Sequence, residues 1–534
     1  METQTSHSYQ RASYEGTDRS TGELSSQRGR LKLPNNKLGA ITTFEEPLIF
    51  EKSLEGRMGY SLPSLDVPEI SAAKVWNASW TRAEVEGFPE VSENEVVRHF
   101  VRLSQKNYAI DLGFYPLGSC TMKYNPKINE EIARRERFAN LHPFWPERYQ
   151  QHALSLQYDV QNLLKLLTGL PGFTLQPSAG AHGEYVGIKI MQAYHQKKGH
   201  KKTKVLIPES AHGTNPATCA MLGYDIVSIP SNDTGIVHLE EVERLLDDEV
   251  AGIMITNPNT LGLFEENIHL IADKIHEKDG LVYMDGANFN AILGITRPAD
   301  LGVDIMHINL HKTFSTPHGG GGPGAGAVGV RGDLLSFLPT PTVQKTDTGF
   351  GWNNEMPESI GRVGGYFGNF SIHVRALAYL LSIGSSPDGK SAPYFRKMSE
   401  AAVLNANYLK ARLKGYYHIP HDRACMHECL ITDQNQSLDG IKTLDIAKRL
   451  MDYGYHPMTV YFPLVVSGAM LIEPTESETK ENLDDFCDAM IAIANECKSL
   501  PDIVRTAPHC TFRRRVDELR AQKQPRLRWS KNLS

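Results

Sequence analysis

The stretch His307-Ile308-Asn309-Leu310-His311-Lys312-Thr313-Phe314-Ser315-Thr316-Pro317-His318, followed by Gly319-Gly320-Gly321-Gly322-Pro323-Gly324-Ala325-Gly326, decides the reading of this chain. A short apolar run delivers one lysine into a loop that becomes almost entirely glycine. A strand-end lysine on its own more often pairs with a carboxylate. Beside a glycine-rich loop it suits a different task, a reversible imine, which needs an amine whose surroundings favour the neutral form. Lys312 is therefore the candidate nucleophilic amine.

Upstream, short β-rich runs at 205–207, 226–229, 252–256, 281–284 and 305–308 alternate with helical stretches such as 239–246 and 265–277. That alternation predicts βαβ units and a mostly parallel sheet with helices on both faces, an α/β architecture. Such sheets carry their chemistry at the C-terminal ends of the strands. Three further elements fall at such ends or at helix starts. Leu281-Val282-Tyr283-Met284 ends in Asp285, an acid on a buried strand that needs a partner: a protonated pyridine nitrogen, or simply the next turn, which it would cap. Pro177-Ser178-Ala179-Gly180 leads into a helix running to about 197, where small residues and free amides suit a phosphate. Glu209-Ser210-Ala211-His212-Gly213-Thr214 is a strand, a loop and a helix start, with His212 placed to stack on a flat cofactor.

The sequence has 534 residues, enough for a large α/β unit and a smaller one. The predicted boundaries are a disordered polar lead at 1–30, an extended arm at 31–100, a large domain at 101–375, a smaller α+β domain at 376–510 and a solvated basic tail at 511–534. The formal net charge of −6 and the 22% charged residues give no reason to expect nucleic acid. The apolar run 458–472 is broken by Pro463 and Gly468 and is too short to span a bilayer as a helix. Seven cysteines, an odd and sparse set, favour a reducing compartment, and the cytoplasm is the expected location.

Two patterns mislead. Gly324-Ala325-Gly326-Ala327-Val328-Gly329 matches the dinucleotide signature but leads into a strand rather than out of one. His418, His421, Cys425, His427 and Cys429 suggest a metal, yet 425–432 reads as a strand with alternating faces and lacks paired ligand spacing, so no metal is expected.

These residues resemble a known family, the P-protein of the glycine cleavage system, in particular subunit 2 of its two-chain form. The likeness spans about 50–500. It rests on Gly59-Tyr60-Ser61-Leu62-Pro63, on 115–126 (YPLGSCTMKYNP), and on 178–184, 210–216, 256–262, 284–288 and 309–314. The resemblance implies a fold-type I transferase dependent on pyridoxal 5'-phosphate (PLP), with a large, mostly parallel sheet domain and a smaller C-terminal domain. The implied activity is that of a glycine dehydrogenase (aminomethyl-transferring, decarboxylating): glycine is decarboxylated and its aminomethyl group passes to the lipoyl arm of H-protein. By the same resemblance Lys312 is the Schiff-base lysine, His212 the ring-stacking residue and Asp285 the partner of the pyridinium. The cofactor-contacting set becomes Ser178, Ala179, Gly180, His212, Asp285, Ala287, His311 and Lys312. Arg362 is the candidate cation for the substrate carboxylate. The implied partner is a homologous subunit 1, two copies of each chain forming a heterotetramer. The rival readings are another fold-type I lyase or decarboxylase and a structural subunit that completes a partner's site. Cys429 departs from the family pattern, which favours a bulky apolar residue there.

Overall fold

The computed structural model describes residues 45–82, 85, 87–317, 322, 324–384 and 394–529. The polar lead at 1–30 and most of the glycine run at 318–323 lie outside them.

The predicted strand runs form the parallel block of a seven-stranded sheet. Its strands are β1 (Gly172–Thr174), β2 (Lys204–Pro208), β3 (Asp225–Ile229), β4 (Val250–Thr256), β5 (Leu281–Gly286), β6 (Ile305–Asn309) and β7 (Gly326–Val330). They are ordered β1-β7-β6-β5-β4-β2-β3. Strands β3, β2, β4, β5 and β6 run parallel; β7 is antiparallel to β6, and β1 to β7. Every residue of β4, β5, β6 and β7 is buried, as expected of strands covered on both faces. The dinucleotide-like glycine pattern leads into β7.

Helix Gly180–Lys198 crosses one face unusually closely. A Cβ on Gly187 would sit 2.2 Å from Cε2 of Tyr283, and one on Gly183 would sit 2.8 Å from Cβ of His307. Glycine at these two positions lets the helix backbone rest on β5 and β6, which brings Glu184 down to the strand ends.

Beyond the hairpin β8 (Thr342–Thr346) and β9 (Gly349–Asn353), a smaller sheet orders β10 (Cys429–Thr432), β12 (Ala469–Ile472) and β11 (Thr459–Val460). Helices Tyr394–Leu413, Thr443–Asp452 and Lys480–Ser499 accompany it. The strand predicted over 425–432 begins only at Cys429. The Cys425 backbone is taken by the Asn407 side chain, at 3.1 Å to its N–H and 2.6 Å to its carbonyl, and the Met426 N–H donates to the Gly262 carbonyl at 2.7 Å. Cys429 itself is fully buried in the core of this unit.

Two peripheral expectations need correction. Within the arm, Glu93–Ser104 is a helix, opened by Ser92 and Glu95, whose carboxylate accepts the Ser92 N–H at 3.2 Å. The basic tail is exposed along its length, as a charge run suggests, but it is tethered at a few points. Arg515 reaches Asp445 at 2.6 Å and the Ala507 carbonyl at 2.8 Å, Arg513 pairs with Glu45, and Trp529 stacks on Phe50 at 5.0 Å between centroids. Aromatic and guanidinium groups anchor a segment that a charge count alone reads as free.

Candidate active site

Asp285 is the penultimate residue of β5, and His307 is its register partner on β6. Both are nearly inaccessible, and His307 Nε2 lies 3.2 Å from Asp285 Oδ1. His307 Nδ1 is 2.6 Å from the Tyr283 hydroxyl. With Asp285 ionised, Nε2 carries the ring proton and Nδ1 accepts from tyrosine, so a line of donation runs Tyr283 to His307 to Asp285. The Ala287 N–H also donates to Oδ1, at 2.9 Å. Among the described residues Oδ2 has no donor, which leaves it for an N–H from outside the chain. Glu184 joins Asp285 and His307 in one buried group. Burial, and then the charge of Asp285, raise its carboxyl above the ordinary range, while the Thr214 hydroxyl donates to it at 2.8 Å.

His212 follows β2, is exposed, and has Nδ1 2.8 Å from Thr214 Oγ1. Through Thr214 the ring is therefore tied to Glu184. Phe462 lies tilted beside the ring, 5.7 Å between centroids.

Lys312 lies in the short helix Leu310–Thr313 directly after β6. Its Nζ donates to the Ser119 carbonyl at 2.8 Å. A second lysine, the buried Lys123, approaches the same helix but is fully engaged, with Nζ 2.7 Å from Asn290 Oδ1, 2.9 Å from the Thr313 carbonyl and 2.7 Å from Glu476 Oε1. Among the described residues Lys312 has one acceptor only. It is the amine with bonding capacity to spare.

At the start of helix Gly180–Lys198, Ser178 and Ala179 are exposed and Gly180 is buried against the Asn309 side chain. The first amides of any helix lack intrahelical acceptors and favour an anion. Here the Ser178 N–H is already taken by His182 Nδ1 at 3.1 Å, so the cup falls to the amides that follow it. His311 is half-buried and lines a cavity of about 630 Å³ together with Tyr108, Tyr115, Thr121 and Lys123. Arg362 is exposed, its guanidinium 5.2 Å from the Phe367 ring centroid.

Residue-by-residue reading passed over Tyr283, Glu184, His307 and Ser119. The first three were recoverable from strand register and helical spacing, because Asp285 and His307 pair directly and Glu184 follows the Gly180–Gly183 contact face. Ser119 carried no local signal, since it reaches Lys312 across 193 positions.

An open carboxylate oxygen backed by a histidine, an accessible imidazole, a lysine at a strand end and a glycine-rich helix start fit PLP. Known proteins resemble the chain in both fold and sequence. Residues 187–345 match the aminotransferase class-V family model, and residues 398–509 match that of the glycine dehydrogenase C-terminal domain. The solved glycine decarboxylase (P-protein) of the glycine cleavage system superposes with a TM-score of 0.63 at 19% identity, over 81% of this chain and 92% of that one. The cysteine desulfurase CsdA from Escherichia coli gives 0.55 at 14% identity, over 72% and 95%. The fold is thus that of the fold-type I PLP-dependent transferases. Two relatives named "Probable glycine dehydrogenase (decarboxylating) subunit 2" are far more similar in sequence. That from Bacillus cytotoxicus is 52% identical and that from Bacillus cereus 51%, each over 91% of this chain and 98% of the relative. At that identity and coverage, the chain belongs to the family of glycine dehydrogenase (decarboxylating) subunit 2.

Proposed function

We propose that this chain is the PLP-bearing subunit of a two-subunit glycine decarboxylase in the glycine cleavage system, with Lys312 as the lysine that holds the cofactor. The observation that carries the reading is the Tyr283–His307–Asp285 line beside Lys312. When bound, PLP supplies an electron sink for the bond broken at the α-carbon of glycine. Asp285 would hold a proton on the ring nitrogen through its open oxygen, and His307 would keep that carboxylate oriented. His212 would stack on the ring. The amides of Ala179 and Gly180, with Ser178 beside them, hold the phosphate. Ala287 fixes the Asp285 carboxylate by its N–H, and His311 borders the cavity next to Lys312. Arg362 is assigned the glycine carboxylate on the chemistry of its guanidinium.

The arm supports a partner. Tyr60, Leu62, Trp80 and Phe88 are each at least 75% exposed, and helix Glu93–Ser104 buries only His99. Apolar surface of this extent marks an interaction site. We assign it to a homologous subunit 1, in an assembly with two copies of each chain. Lipoylated H-protein is then the acceptor of the aminomethyl group, and the cytoplasm the compartment; no helix among the described residues is long and apolar enough to cross a membrane. The test mixes this chain with subunit 1, lipoylated H-protein, PLP and glycine, and measures exchange of labelled bicarbonate into glycine. Exchange that needs both subunits is the expected result. The same rate from this chain alone defeats the two-subunit reading.

A further inference from the structure

Glu428 and Glu473 are fully buried and stand opposite each other, one position beyond the β10–β12 register pair Cys429 and Ile472. Like charges directly opposite on paired strands repel, and a buried carboxylate needs compensation. Each acid uses Oε2 to accept one backbone N–H from the same loop: Ser119 N–H to Glu428 at 2.8 Å, and Thr121 N–H to Glu473 at 2.8 Å. Those two amides flank Cys120. Ser119 and Thr121 have φ of 65° and 49°, a left-handed conformation that costs non-glycine residues about 1 kcal/mol or more each and persists only where the surroundings impose it. The carbonyl of the same Ser119 accepts from Lys312.

We propose that Glu428 and Glu473 form a carboxyl pair that shares one proton and positions Lys312 by clamping the backbone on both sides of Cys120. The inference rests on reading Lys312 as the reactive amine. Among the described residues Glu428 Oε1 and Glu473 Oε1 accept no hydrogen bond, and the two carboxyls offer oxygens within 4.8 Å of one another, which leaves these atoms for the shared proton. The groups facing the pair are His427, Cys120, Cys425, Cys429, Lys123 and Lys312. His427 Nε2 lies 3.9 Å from Glu473 Oε1, and burial pushes the imidazole down to about 3, so it is neutral. Burial also drives both carboxyls up, and the charge of Glu473 adds to the shift of Glu428. A metal ion is the other way to balance two carboxylates and a histidine. The site argues against it: two N–H groups point their positive ends at the pair, and two lysines flank it.

The acid pair controls how readily Lys312 loses its proton, because a second negative charge on the pair holds the ammonium. The test uses the full-length chain without cofactor. Acylation of Lys312 by an amine-selective reagent is followed by peptide mass spectrometry from about pH 6 to about pH 9, with exposed Lys498 as internal standard. In the wild type the Lys312 rate should rise with pH less steeply than a single-proton curve. In the double variant Glu428→Gln/Glu473→Gln it should follow a single-proton curve and be on the order of tenfold faster near neutrality. Each single Gln variant should fall between, which keeps the test decisive if the double variant does not fold. Amide hydrogen exchange at Ser119 and Thr121 should stay slow in the Gln variants, which retain an acceptor oxygen, and quicken in Glu428→Ala and Glu473→Ala. Equal Lys312 rates in wild type and Gln variants, unchanged exchange in the Ala variants, or a stoichiometric metal whose chelation alters Lys312 reactivity would each overturn the proposal. None of these readouts needs PLP, so Lys312 failing to hold the cofactor would reject the proposed function and leave the clamp standing.

Discussion

His307 stands behind Asp285, 3.2 Å away, and is itself backed by the Tyr283 hydroxyl at 2.6 Å. Three residues from two neighbouring strands thus make one buried polar line that ends at the open carboxylate oxygen. A buried polar line of this kind holds one geometry, and breaking it is costly.

Tyr283→Phe breaks the line at its far end and leaves His307 Nδ1 buried without a donor. The loss should be about 1–3 kcal/mol of stability, read from denaturant unfolding. Turnover should fall less than in an Asp285 variant, since the carboxylate keeps His307.

Asp285→Asn should still bind PLP but lose turnover by a factor on the order of 100 or more, because a neutral amide cannot hold the ring-nitrogen proton. Steady-state decarboxylation alongside a cofactor-binding titration checks this. Near-normal turnover would remove the role from Asp285.

Lys312→Ala should abolish covalent attachment of PLP, with no substitute from Lys123, whose ammonium is committed to three acceptors. Borohydride reduction followed by peptide mapping provides the readout. Cofactor trapped on Lys123 in the variant would overturn the assignment.

His195 gives a pH-dependent case. Burial depresses its imidazole to about 4, while Nε2 donates to the Ala251 carbonyl of β4 at 2.8 Å. The folded state therefore takes up this proton later than the unfolded chain, whose histidine titrates near 6.5. The stabilisation is present above pH 6.5 and is lost as pH falls through about 4. His195→Gln should be less stable than wild type at neutral pH, and the gap in Tm should close on acidification over that window. A gap that widens toward low pH would contradict the sign.

Arg515→Ala should leave glycine decarboxylation unchanged and reduce stability by about 1 kcal/mol, since its guanidinium joins the tail to partly buried Asp445. Thermal unfolding and the exchange assay together separate the two effects. Loss of exchange without loss of stability would give the tail a role in the chemistry.

Much of the site was legible in the sequence because parallel βαβ units repeat a local signal. Apolar runs of strand length separated by helical spacing put Asp285, His212 and Lys312 at strand ends, and Gly180 at a helix start, with no knowledge of contacts. The edge strand β1, only Gly172–Thr174, was illegible since three residues cannot display a period. The helix at Glu93–Ser104 went unread despite its Ser92–Glu95 capping signature, because it closes a segment whose prolines, glycines and charges show no long period.

What the sequence by itself determined was the order of elements and the chemistry each strand end carries, since both are written within windows of a few residues. Only the tertiary structure decided which of these groups meet. Ser119 reaches Glu428 across 309 positions and Thr121 reaches Glu473 across 352, through single hydrogen bonds that no local pattern encodes. Pairing of β10 with β12 sets those two acids face to face, and the close seating of a helix on Gly183 and Gly187 brings Glu184 to Asp285. Long-range register and packing, rather than propensity, assembled the environment of Lys312.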